Sequence, residues 1–130
     1  MDFIKTIRKN TKSNSTNVVL SEDLDLVMKD NIEDWKEMML SRSMEGYDHV
    51  YIWEFDEKEI VYILKRDDKI SYDIDKPRTF SSGTEVLRSY SSGKFFNSSD
   101  FRDWILDIFP SCTTTLEYRG KRGYFVRLNW

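Results

Sequence analysis

Leu24, Val27, Met28, Ile32, Trp35, Met38 and Met39 recur at helical spacing. Apolar residues at that period make one face of a helix, so residues 21–43 are predicted to be helical. Ser21 followed by Glu22 and Asp23 suits the start of a helix, where acidic groups meet unpaired backbone N–H groups. Asp30 and Glu33 have the spacing of a capping box, which predicts a break and a restart near Asn31. The period then changes to two. Tyr51, Trp53 and Phe55 alternate along one strand, Ile60, Tyr62 and Leu64 along a second, and Ile70, Tyr72 and Ile74 along a third. An antiparallel meander would pair Phe55 with Ile60 across the turn "DEKE", Trp53 with Tyr62, and Tyr51 with Leu64. Leu64 with Ile70 and Tyr62 with Tyr72 would add the third strand. The three strands then share an aromatic-rich face. Val50, Ile52, Val61 and Ile63 form the other, which a helix or a partner is expected to cover.

Residues 75–97 read as loop, with an aromatic-Ser-Ser-Gly unit at Phe80–Gly83 and again at Tyr90–Gly93. "TEVLRSY" between them is open to two readings, a helical turn or a short strand. Two glycine turns explain the repeat better than a phosphate-cradling loop. The P-loop pattern needs glycine where Arg88 stands and Ser or Thr where Phe95 follows Lys94. Residues 98–109 form the clearest helix, capped by Ser98 or Ser99, with Phe101, Trp104, Ile105 and Ile108 on one face and Pro110 as the stop. Thr113–Tyr118 and Tyr124–Trp130 then make a closing hairpin around "GKRG". A turn with left-handed Gly123 and a bulge would pair Gly120 with Tyr124, Tyr118 with Val126, Leu116 with Leu128 and Glu117 with Arg127.

The order α-β-β-β-loop-α-β-β predicts an α+β fold. Its mainly antiparallel sheet would hold a three-stranded meander plus the C-terminal hairpin, with two helices packed on one face. Helix then hairpin occurs twice, as "EDWKEMML" before "WEFDEKEIVYILKR" and "RDWILDIF" before "LEYRGKRGYFVRLNW". Duplication and coincidence both explain this, and coincidence asks for less.

Length and composition place the chain among single globular domains: 130 residues, 39% hydrophobic, 15% aromatic and 33% charged. There is no alanine. Alanine is the best helix former, so folding does not explain its absence. An AT-rich genome does, such as those of some large DNA viruses and some protists. Charge is uneven: +3 over residues 1–20, −10 over 21–75, +1 over 76–110 and +3 over 111–130. Residues 1–20 read as a basic N-terminal arm and flexible linker carrying Lys5, Arg8, Lys9 and Lys12, and residues 21–130 as a single α+β domain. The single cysteine, Cys112, allows no intramolecular disulfide and reads as a packed thiol. No run is apolar enough to span a membrane, and "MDFIKTIRKN" lacks the features of a signal peptide. The expected location is intracellular (cytoplasmic or nuclear) or within a virion.

Catalytic chemistry finds little support. One His and one Cys cannot build the common zinc frameworks, and no Gly-x-Ser-x-Gly elbow is present. Asp48, Asp56 and Lys58 loosely match a metal-dependent nuclease, but Asp56 and Lys58 fall at a turn, where charge is ordinary. The expectation is a non-enzymatic protein with no cofactor, no metal and no small-molecule ligand. Tyr, Trp, Met and Arg, the residues favoured at interfaces, are plentiful. A protein–protein interaction or assembly role, as a small structural component of a virus particle or other large complex, is the first reading. The candidate surface is Lys5, Arg8, Lys9 and Lys12 with the hairpin cations Arg119, Lys121 and Arg122. Tyr118, Phe125 and Trp130 are candidate stacking or partner-contact residues. The alternative is nucleic-acid binding by the basic C-terminal hairpin.

Overall fold

In a computed structural model, residues 18–130 are described. The basic arm, with Lys5, Arg8, Lys9 and Lys12, lies outside the described residues. The elements are helices α1 (Ser21–Met28) and α2 (Ile32–Met44), strands β1 (His49–Phe55), β2 (Ile60–Arg66), β3 (Lys69–Asp75) and β4 (Glu85–Ser91), short helix α3 (Ser92–Phe96), helix α4 (Ser99–Ile108), and strands β5 (Thr113–Tyr118) and β6 (Tyr124–Asn129). The fold is α+β and every strand pair is antiparallel.

The predicted meander is corrected. Phe55 does not pair with Ile60, because β1 and β2 belong to different sheets. One sheet has the order β1-β6-β5 and the other β3-β2-β4. The outline shared by "WEFDEKEIVYILKR" and the closing hairpin is therefore not a repeated hairpin. What the two Asp-Trp helices share is placement. α2 leads into β1 and α4 into β5, and these strands flank β6 on its two sides. Trp35 and Trp104 meet edge to face at 6.4 Å.

The register of β2 with β3 also differs from the sequence reading, and β1 and β4 are each irregular. Asp67 and Asp68 both take positive φ, 51° and 62°. That gives the tight two-residue turn whose twist suits a hairpin, and it joins Arg66 to Lys69. Leu64 consequently faces Ser71, and Ile63 faces Tyr72. The slip of one residue makes Val61 and Ile63 the core face of β2. Tyr62 and Leu64 turn to the other side, where Phe80 packs on Tyr62 and the Tyr62 hydroxyl accepts the Arg78 N–H at 3.0 Å. In β1 a bulge at Ile52 shifts the pairing between Tyr51 and Trp53. Trp53 and Phe55 lie on the core side, while Tyr51 moves to the outer face. "TEVLRSY" is a strand, β4, with its own irregularity at Leu87.

Local rules hold best at the helix ends. Ser98 caps α4, its hydroxyl accepting the Phe101 N–H at 3.0 Å. The first helix does break, through a 3-10 turn at Lys29–Asn31, but the Asp30–Glu33 capping box does not form and Asn31 makes no side-chain cap. Gly93 lies inside α3 rather than in a turn, and Ser91 is the cap of that helix.

Among the described residues, both sheets and all four helices contribute to one buried cluster. At its centre Phe96 touches Trp53 and Phe55 at 5.3 Å each, Phe95 at 5.1 Å and Phe101 at 5.7 Å. α1 seals the core by a polar clamp. Asp23 is 1% exposed and receives Arg88 through two bonds of 2.7 Å and the Tyr90 hydroxyl at 2.5 Å. Trp104 donates to Asp25 at 2.7 Å, and the Val19 N–H donates to Asp100 at 3.1 Å. Cys112 is buried, and burial pushes its thiol pKa up.

Phe96→Ala should destabilise the fold by about 3–5 kcal/mol, read as a lower denaturation midpoint at unchanged slope; a change under about 1 kcal/mol would mean that the ring is not central. Burial, and then the bond to Asp23, push the Tyr90 hydroxyl up to about 12. The unfolded chain releases that proton near ~10. The contribution of Tyr90 to stability is therefore constant below pH ~10 and falls between ~10 and ~12, by on the order of 2 kcal/mol. Tyr90→Phe should be less stable at about pH 9 and lose less between about pH 9 and about pH 11.5 than the unmodified chain; equal losses would remove Tyr90 from the effect.

Candidate functional site

The bulge in β1 and the register of β5 and β6 decide which side chains reach the outer face of the β1-β6-β5 sheet. They are His49, Tyr51 and Glu54 from β1, Phe125, Arg127 and Asn129 from β6, and Thr113, Thr115 and Glu117 from β5. On this face Tyr47, His49, Tyr51 and Phe125 form a row in which successive rings meet edge to face at 5.9, 5.8 and 5.9 Å. Guanidinium groups lie over the row. Arg42 of α2 is 5.5 Å from the Tyr47 ring, Arg119 is 4.7 Å from both Tyr51 and Phe125, and Arg122 is 5.5 Å from Phe125. Each such contact contributes about 0.5–1 kcal/mol at an exposed site, against about 1.5–2 kcal/mol to order an arginine side chain, so Arg119, with two of them, is held best.

Glu117 anchors the hairpin end of the row. It accepts the Tyr51 hydroxyl at 2.7 Å and pairs with Arg119 at 3.0 and 3.1 Å. The Tyr51 bond first, and Arg119 after it, hold the Glu117 carboxyl below the usual carboxylate range, and Glu117 in turn raises Arg119. The expected Glu117–Arg127 pair is thereby corrected. The hairpin register is two residues away from the predicted one: Tyr118 faces Tyr124, Leu116 faces Val126, and Arg127 faces Thr115. Arg127 instead donates to Asn129 at 2.6 Å. A two-residue shift keeps every side chain on its face, so the apolar pattern could not reveal it.

At the tip, Gly120–Arg122 form a 3-10 turn and the Arg119 N–H donates to the Gly123 carbonyl at 2.9 Å. Arg119 is therefore a bound residue of the face rather than a free cation. Lys121 and Arg122 form no ion pair among the described residues. The three aromatic candidates do not come together. Phe125 is 9% exposed beneath Arg119 and Arg122, and Tyr118 is 65% exposed and packs on Tyr124 near the tip. Trp130 follows the far end of β6, where its N–H donates to the Asp48 carbonyl at 3.0 Å.

The row continues onto α2. A hollow of about 220 Å³ is lined by Met38, Arg42, Tyr47, His49, Val50 and Tyr51, and a second of about 400 Å³ by Glu37, Met38, Ser41, Arg42, Glu45 and Val50. Met44 and Leu40 on the same helix are exposed, at 81% and 65%. Sequence reading missed Arg42, Tyr47 and His49 and set Tyr51 on one face with Trp53 and Phe55, from which the bulge separates it. The signal was present in "YDHVY", where Tyr47, His49 and Tyr51 alternate, but the bulge that separates them from Trp53 carries no sequence mark.

Other groups with chemical potential are engaged locally. His49 Nδ1 lies 2.9 Å from Asp48 Oδ1, which holds the Asp48 carboxyl below its ordinary range. Asp48 and Asp56 flank β1 at its two ends, a seven-residue strand and so roughly 20 Å of chain. Asp56 accepts the Lys58 N–H at 2.9 Å within its own turn. Among the described residues, no group of three or more His, Cys, Asp or Glu side chains is arranged to hold a metal ion. A cleft of about 600 Å³ between α3, α4 and the hairpin is lined by Glu57, Lys94, Asn97, Ser99 and Arg102 among others. The hydroxyls of Ser91 and Ser98 beside it already cap helices.

Comparison with known proteins adds no identity. No protein-family model, curated protein or solved structure matches this chain. Among the described residues, no helix is long and apolar enough to cross a membrane.

Gly123 sets the geometry of the tip. Its φ of 83° and ψ of −145° suit only glycine, and a Cβ there would lie 2.5 Å from the Phe55 carbonyl oxygen. Gly123→Ala should cost about 3 kcal/mol and shift the NMR resonances of the Arg119 amide and the Tyr51 ring. A fold of unchanged stability would show that the tip is not fixed by this approach.

Proposed function

We propose that the protein is a non-enzymatic interaction or assembly protein that holds an acidic partner protein against the outer face of the β1-β6-β5 sheet. The observation that carries this reading is the continuous row Tyr47–His49–Tyr51–Phe125 with Arg42, Arg119 and Arg122 stacked over it. Such a surface presents rigid aromatic area and, in Arg119, a cation whose position is set before binding, so less ordering entropy remains to be lost. Met38 and the adjoining hollows supply apolar contact beside the charge. Tyr, Met and Arg are the residues enriched at protein interfaces. Charge complementarity would steer the partner and make binding sensitive to salt. A component of a virus particle or another large complex is the setting that the alanine-free composition favours.

Nucleic-acid binding by the same cations is the competing reading. It requires ring faces open to bases along the strand path. Phe125 is covered by two guanidinium groups, and Tyr118 and Trp130 stand at opposite ends of the β5-β6 hairpin, which favours protein over nucleic acid.

Fluorescence anisotropy with a labelled polyglutamate peptide and a labelled single-stranded DNA of matched charge tests the choice. The peptide should bind more tightly than the DNA, weaken as salt rises, and lose about tenfold in affinity with Arg42→Glu or with Lys121→Glu/Arg122→Glu. Tighter binding of the DNA, itself abolished by Lys121→Glu/Arg122→Glu, would replace this proposal with the nucleic-acid one.

A further inference from the structure

Among the described residues the two sheets leave four edge strands, β1, β5, β3 and β4. Open edges invite pairing with other chains unless they are bent, short or covered. β1 and β4 each carry an irregularity in their pairing, and β5 is one residue shorter than β3. β3 pairs with β2 without interruption over all seven residues, contains no proline, and is exposed along its first four positions. Among the described residues, nothing pairs with its other side. Ile70 and Tyr72 are 54% and 40% exposed on it.

Hydrogen bonding along β3 can be assigned from the turn before it. A two-residue hairpin closes on a pair that exchanges both backbone bonds, here Arg66 with Lys69. Lys69, Ser71, Asp73 and Asp75 therefore bond to β2. Ile70, Tyr72 and Ile74 direct their N–H and C=O groups toward the open edge.

We infer that β3 pairs with β3 of a second copy, antiparallel and centred on Tyr72, joining two three-stranded sheets into one of six. The sequence "KISYDID" is self-complementary in this register. Lys69 meets Asp75 of the other copy, Ile70 meets Ile74, Ser71 meets Asp73, and Tyr72 meets Tyr72 across the two-fold axis. The residues with outward backbone groups, Ile70, Tyr72 and Ile74, fall opposite one another, as a ladder requires. On one face the pairing covers Ile70 and Tyr72. On the other it sets two Lys69–Asp75 pairs of opposite charge, and a two-fold interface repeats each contact. Lys69 has no ion pair within its own chain among the described residues. A shift of one residue would set outward-bonding residues against inward-bonding ones, so the register is restricted by backbone and charge together. This surface is separate from the aromatic row, and its test does not depend on the acidic-partner reading.

Sedimentation equilibrium of the full chain decides it. The unmodified protein should reach dimer mass in the micromolar range. Lys69→Asp, which sets acid against acid twice, should weaken the dimer about tenfold or more. Lys69→Asp/Asp75→Lys should restore it, with Arg78, which Asp75 meets at 3.5 Å, kept in place by its closer pair with Asp73 at 3.1 Å. A monomer throughout the range overturns the inference, and slow exchange of the Tyr72 amide in that monomer would assign the edge to another segment of the same chain. A dimer that Lys69→Asp leaves intact, or that the charge exchange fails to restore, overturns it equally.

Discussion

The packing of Phe96 ties the two sheets together. The ring ends α3, the short helix that continues from β4 in one sheet, and stacks on Phe55 of the other at 5.3 Å, with Trp53 at the same distance. The sheets exchange no strand, so their relative placement rests on such side-chain contacts rather than on a shared ladder. Burying a ring of this size contributes about 2–3 kcal/mol, and stacked or edge-to-face pairs add about 0.5–1.5 kcal/mol each. With Trp53 and Phe55 drawn inward, the bulge at Ile52 turns Tyr51 outward. The aromatic row on the outer face thus follows from how the core is filled on the inner one.

Charge is arranged by the same economy. The acidic stretch of the sequence is partly consumed inside the molecule: Asp23 holds Arg88 and Tyr90, and Asp25 holds Trp104. Removing Asp23 would leave Arg88 and the Tyr90 hydroxyl without their buried acceptor, a loss of about 3 kcal/mol, so Asp23 is structural before it is anything else. At the basic end, Glu117 occupies Arg119, and the rings of Tyr51 and Phe125 support it. Lys121 and Arg122 are left as the outward cations of the tip. The surface is less basic than the sequence count implies, but its charges are more firmly positioned.

Local signals were legible where one residue decides one feature. Ser98 before Phe101 and Trp104, followed by Pro110, marked α4 because a hydroxyl cap, an apolar stripe and a terminating proline act within a few residues. The strands around Tyr51, Tyr62 and Tyr72 were equally plain from their period of two. The candidate site was half legible. The basic tip was visible at once, whereas Arg42, Tyr47 and His49 join it only through the fold. "TEVLRSY" stayed ambiguous because a short apolar run fits a helical turn or a strand, and its pairing with β2 settled the matter.

The sequence alone determined the α+β class, the position of most elements and the break in the first helix, since these depend on periodicity and short-range backbone preferences. Only the tertiary structure decided which strands pair and in what register. β2 is apolar on both faces, so hydrophobicity could not choose between Val61–Ile63 and Tyr62–Leu64 as the core side. The left-handed turn at Asp67–Asp68 made that choice. A shift of two residues in the closing hairpin changes no face, so only the tip geometry at Gly120 and Gly123 fixed it. The partner of β1 was the largest surprise: adjacency in the chain argued for β2, but placing Trp53 and Phe55 against Phe96 gives β1 to β6.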